Sequence, residues 1–85
     1  MRKLKRILLL CQQYGCPMEL SPARYQLIHE LHKSDYEIYV FFPGSILNKE
    51  IKGEIHHFTN TLSLSTKEIR KKIINIAPQF VIGFT

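Results

Sequence analysis

The sequence lacks any long apolar run: Ile7 to Cys11 is five residues, against ~20 for a helix that crosses a bilayer and roughly 7–15 for the apolar part of a secretory signal. Arg2, Lys3, Lys5 and Arg6 ahead of it imitate the charged start of such a signal, and Leu8-Leu9-Leu10-Cys11 imitates a lipobox. Yet no small residue precedes Cys11 and no A-x-A cleavage pattern appears, so the expected location is cytoplasmic, with peripheral membrane contact left open by the basic residues. Cysteine is scarce too. Cys11 and Cys16 stand as C-x4-C with no second pair, a spacing that fits neither half of a zinc ribbon nor a thioredoxin-like redox pair. His29 and His32 fall three apart on an expected helix, and His56-His57 are adjacent on an expected strand, where neighbours point to opposite faces. No metal site is expected.

Glycine is equally sparse, four in all, and its placement excludes the common small α/β activities. There is no G-x-G-x-x-G, no G-x-x-x-x-G-K-[ST] and no G-x-S-x-G, which removes dinucleotide binding, a phosphate loop and a serine nucleophile elbow. The second expected strand ends in Phe41-Phe42-Pro43 rather than in an acid that could hold a ribose, and Gln12-Gln13 stand where a phosphoacceptor module needs carboxylates. No repeat and no low-complexity tract is present.

What remains is the composition of a folded domain, 45% hydrophobic, 11% aromatic and 22% charged, values that argue against disorder. With 85 residues the chain suits at most one small domain with a thin core. Its net charge of +5 comes largely from the basic start and from Lys67, Arg70, Lys71 and Lys72. One cluster flanks a strand and the other is the wet side of a helix; neither interleaves aromatics as single-strand nucleic-acid platforms do, so no nucleic-acid partner is expected.

After Arg6, Ile7 to Cys11 is apolar without alternation, the pattern of a strand buried on both faces. Ser21-Pro22 supplies an N-cap and a first-turn proline. Ala23, Leu27, Ile28 and Leu31 then form one helical stripe, which ends near Ser34-Asp35. Tyr36 to Phe42 is dense in β-branched and aromatic residues and reads as a second strand, stopped by Pro43-Gly44. Residues 54–58 read as a shorter edge strand. Ser65 and Glu68 make a capping box for a helix with Ile69, Ile73, Ile76 and Ala77 on one stripe, ended by Pro78. Phe80 to Phe84 repeats the unalternating apolar pattern of the first strand.

The expected fold is therefore α/β, a partial Rossmann-like parallel sheet with elements in the order β-α-β-β-α-β, helices packed on the sheet, and the first and last strands both near its middle. An uncovered central strand at the end of a chain exposes apolar surface and unpaired backbone, so the expectation is the N-terminal part, residues 1–85, of a larger domain. In open α/β sheets the ligand crevice lies beyond the carboxyl ends of the strands, which gathers the loop after the first strand, Pro43-Gly44 and Thr85. The candidate binding residues are Gln13, Tyr14, Gly15, Arg24 and Thr85. Tyr14 and Gly15 are either cleft-lining or plain loop; Arg24 is either a phosphate contact or a solvated surface arginine. No catalytic residue is assigned.

The stretch KRILLLCQQYGCPMELSPARYQLIHELHKSDYEIYVFFPG resembles the opening of a GT-B glycosyltransferase, specifically the family 4-like N-terminal domain. The matching pieces are the strand Lys5 to Leu10, the loop Tyr14 to Pro17, the helix Ser21 to Leu31 and the second strand Tyr36 to Val40. STKEIRKKIINIAPQFVIGFT is similar to the segment leading into that family's fourth strand. The sequence departs at Met18-Glu19-Leu20, where relatives carry a Gly-Gly pair, at Asp35-Tyr36 and at Gly83-Phe84-Thr85. The resemblance implies a parent enzyme that moves a sugar from a nucleotide sugar to a glycan or lipid-linked acceptor. It needs no cofactor beyond that co-substrate. The family binds the donor mainly on a second domain, so these residues would form the acceptor side and be inactive alone. The alternative is a stand-alone basic α/β interaction module for an anionic partner.

Overall fold

The computed structural model describes residues 5–11, 22–44 and 53–84, apart from the side chains of 22–25 and 84. Six elements follow in order: β1 (Lys5–Cys11), α1 (Pro22–Lys33), β2 (Tyr36–Phe42), β3 (His57–Asn60), α2 (Thr66–Ile76) and β4 (Phe80–Phe84). The four strands form one sheet in the order β3-β2-β1-β4, and every pairing is parallel. The α/β class and the parallel sheet agree with the sequence reading.

β1 owes its central place to its apolar run. Ile7, Leu8, Leu9 and Cys11 are all buried, and successive strand residues face opposite sides, so both faces of β1 are covered. On one face Ile7, Leu9 and Cys11 join Ile38, Val40 and Phe42 of β2 and Ile28 of α1 in a single core, with Leu31, Tyr36, Ile55 and Ile82 packed against it. Ile28 comes from the expected stripe of α1. Ser34 N–H donates to the carbonyls of Glu30 and Leu31 as the helix unwinds, and Asp35 turns the chain at φ 60°, a left-handed conformation that Asp tolerates better than most residues.

α2 lies on the other face, its end held where the Arg6 guanidinium donates to the Ile76 carbonyl at 2.8 Å. Its start is capped by Ser65, whose hydroxyl oxygen accepts from the Glu68 N–H at 3.2 Å. The same hydroxyl donates to the Glu68 carboxylate at 3.1 Å, so the carboxylate closes the box through the side chain. Ser65→Ala is expected to lower thermal stability by about 1 kcal/mol, read by circular-dichroism melting, whereas Ser65→Asp should restore it.

Among the described residues β4 has only β1 beside it, and Phe80 and Val81 are 49% and 53% exposed. Two expectations change. α2 buries no residue fully; Ile69, Ile73 and Ile76 are half-buried, and Ala77 leaves the stripe as an exposed C-cap at φ 50°. The edge strand runs over 57–60 rather than 54–58. The His56 ring explains that shift, because its Nδ1 accepts the Ile38 N–H at 3.0 Å in the position a strand carbonyl would otherwise fill.

Candidate functional site

At the carboxyl ends of the strands the backbone is locked by one side-chain amide rather than by a glycine-rich turn. Asn60 Oδ1 accepts from Gly44 N–H and from Leu62 N–H, each at 3.0 Å, while Thr61 N–H donates to the Phe42 carbonyl at 2.9 Å. Gly44 is needed here because its φ of 137° is closed to most L-residues. These bonds tie the end of β2 to the β3–α2 connection.

Above them lies a cavity of about 450 Å³, within the range of small-molecule sites. Leu10 and Cys11 of β1 and Pro43 form its floor, and Ile69 and Ile73 of α2 form a wall. Thr61 and Thr66 supply hydroxyls, and Arg70 is its one charged lining residue among those described. The chemistry offered is an apolar pocket with a guanidinium and two hydroxyls on its rim, suited to a ligand that is mostly apolar or sugar-like with one anionic group.

A second cavity of about 510 Å³ lies over the sheet face between β2, β3 and α2, with Tyr39, His57, Lys72 and Asn75 among its walls. Tyr39 and His57 stack with ring centres 4.3 Å apart. Beside them, nearer the amino ends of the strands, Arg6 Nε donates to Glu37 Oε1 at 3.0 Å and His57 Nε2 meets Glu37 Oε2 at 3.0 Å. The hydrogen bond from His57, helped by Arg6 and Tyr39 and opposed by partial burial, holds the Glu37 carboxyl below its ordinary value of 4.5. Burial pushes the Tyr39 phenol up, and the Glu37 charge adds to that. Lying at the amino ends, this network ties three strands and α2 together.

Of the sequence-derived candidates, Gln13, Tyr14, Gly15 and Thr85 lie outside the described residues, and Arg24 is described only as backbone on the first turn of α1. The structure neither gathers nor separates them. Arg70, Thr61 and Thr66 were missed, since Arg70 reads from the sequence as one more residue on a wet basic face. The Arg6–Glu37 pair carried a usable signal: each is the second residue of its strand, and parallel pairing sets them side by side. Among the described residues no group of three or more metal-binding side chains gathers, and no helix is long and apolar enough to cross a membrane.

No protein-family model, curated protein or solved structure matches this chain.

Proposed function

We propose that the chain is the acceptor-side, N-terminal portion of a GT-B glycosyltransferase, moving a sugar from a nucleotide sugar to a glycan or lipid-linked acceptor. The observation that carries the reading is the cavity over the carboxyl ends of β1 and β2, walled by α2. The strand order β3-β2-β1-β4 equals the first four positions of a doubly wound Rossmann-like sheet, in which ligands bind outside the carboxyl ends at the reversal of strand order, here between β1 and β4. In this reading Gln13, Tyr14, Gly15, Arg24 and Thr85 remain the binding residues proposed from the sequence, Arg70 takes an anionic group of the acceptor, and the Leu10–Pro43 floor takes its apolar part. The sequence resemblance supplies the reaction; the pocket supplies a place for one substrate.

The test is turnover. The complete reading frame containing this chain is expressed and given a panel of nucleotide sugars with a polyprenyl-diphosphate-linked glycan, and release of nucleoside diphosphate is followed. Acceptor-dependent release is expected, with Arg70→Ala lowering kcat/KM about tenfold to a hundredfold, the range of one lost charge-assisted hydrogen bond. A folded protein that turns over none of the panel would sink the reading.

A second reading rests on the exposure of Lys67, Arg70, Lys71 and Lys72 along α2: a basic interaction module for an anionic partner. It requires binding to DNA or acidic vesicles whose affinity falls steeply with salt.

A further inference from the structure

The imidazoles of this chain are not equivalent in how they use their nitrogens. His29 Nδ1 faces a carboxylate oxygen, Glu54 Oε1, at 2.9 Å, and His57 Nε2 faces Glu37 Oε2 at 3.0 Å. A proton gained by either ring strengthens the contact it already makes. His56 is the opposite case. Its Nδ1 accepts a backbone N–H, that of Ile38, at 3.0 Å, and an accepting ring nitrogen is a lone pair, which exists only while that nitrogen carries no proton. The neutral ring therefore bears its hydrogen on Nε2. Protonation at Nδ1 would set one N–H against another across 3.0 Å.

The bond closes a ring of contacts. The His56 N–H donates to the Ile38 carbonyl at 3.2 Å, so backbone and side chain of His56 together engage both polar groups of Ile38. Ile38 is fully buried in the core, whereas β3, which His56 leads into, is only four residues long and sits at the sheet edge. The His56 contacts extend the pairing of Tyr39–Phe42 with His57–Asn60 by one residue toward the start of β3.

Titratable and charged groups face His56 from each neighbouring element. From α1, His32 stacks on its ring with centres 5.5 Å apart. From α2, Lys72 lines the same cavity as His56, together with Tyr39 of β2 and His57 of β3. The nearest acid along the chain, Glu54, has one oxygen on His29 and the other, Oε2, buried without a hydrogen-bond partner among the described residues, and Glu37 is bound to Arg6 and His57.

We propose that His56 is a pH-sensitive latch: while neutral it fastens the start of β3 to Ile38, and when its ring takes a proton the fastening opens and the β3 edge of the sheet loosens. The trigger is a proton on Nδ1, the atom that accepts the Ile38 N–H, and imidazole is the side-chain type best suited to exchange one near neutral pH. What opens is the edge that walls the cavity between β2, β3 and α2. The inference stands apart from the transferase reading, since it invokes neither the carboxyl-end cavity nor any substrate.

The experiment is nuclear magnetic resonance of the 85-residue chain, with amide exchange converted to protection factors so that the intrinsic pH dependence of exchange is removed. At pH 7.5 the His56 ring should show the Nε2–H tautomer in long-range proton–nitrogen spectra. Between pH 7.5 and 5.0 the protection of the Ile38 amide should fall about tenfold, the loss of roughly one partly buried hydrogen bond, while amides of β1 change far less. His56→Asn places an amide oxygen where Nδ1 stood and cannot be protonated, so its Ile38 protection should hold steady over the same range. An Nδ1–H tautomer at pH 7.5, or Ile38 protection in the unsubstituted chain that does not fall with acid, overturns the proposal without recourse to the variant. So does an equal fall in His56→Asn.

Discussion

Phe42→Ala is expected to cost about 3–5 kcal/mol of folding stability, the range for deleting a buried aromatic ring. Phe42 is fully buried at the end of β2, within the core shared by β1, β2 and α1. A chain of 85 residues holds a native-state margin of only about 5–15 kcal/mol, and small domains lie toward the bottom of that range. The loss therefore consumes most of the margin. Urea denaturation followed by circular dichroism should show the Phe42→Ala midpoint far below that of the parent, with Leu62→Ala, at an exposed site, within about 0.5 kcal/mol of the parent. Equal midpoints for the two variants would place the core elsewhere.

Glu37→Gln is the second large effect, about 1–3 kcal/mol at neutral pH. Arg6 and His57 lose the anion between them, and β1, β2 and β3 lose the side-chain link that crosses all three strands. The value stays modest because the Arg6 side chain is 42% exposed and solvent screens the pair. The pH dependence carries the clearer signature. The Glu37 carboxyl is held below 4.5 when folded, first by His57, so as the medium is acidified the unfolded chain takes up this proton before the folded chain does. The stabilisation is fully present above pH 4.5 and is lost as pH falls through the lower, folded-state value. Stability measured from pH 6 to pH 3 should decline less in Glu37→Gln than in the parent; parallel curves would show that this carboxylate does not contribute.

These effects sort by how local their causes are. The β1 run, the α1 stripe, the dense β2 segment and the Ser65–Glu68 box are each legible because their signals are close in sequence: apolar continuity, helical spacing, β-branched content, a hydroxyl three residues from its partner. The buried residues Ile7, Leu9, Ile28, Ile38 and Val40 all fall within them. A crevice beyond the carboxyl ends of the strands was an expectation of the parallel sheet; of the residues assigned to it, Gln13, Tyr14, Gly15 and Thr85 lie outside the described ones and Arg24 is described only as backbone. Arg70 and the Thr61–Thr66 rim could not be read, because their value comes from α2 lying across β1, a contact between distant segments.

The sequence by itself determined the element types, their order and the parallel α/β class, since these follow from the period and capping chemistry of short windows. Only the tertiary structure decided which apolar strand becomes central. Ile7–Cys11 and Phe80–Phe84 carry the same unalternating pattern, yet among the described residues β1 has a strand on both sides and β4 on one. Burial of a strand depends on what pairs beside it, and that partner is set by chain crossings rather than by the strand's own residues. The fate of the histidines was decided in the same way. Whether an imidazole accepts a backbone N–H, as at His56, or meets a carboxylate, as at His29 and His57, depends on groups that folding brings to it from elsewhere in the chain.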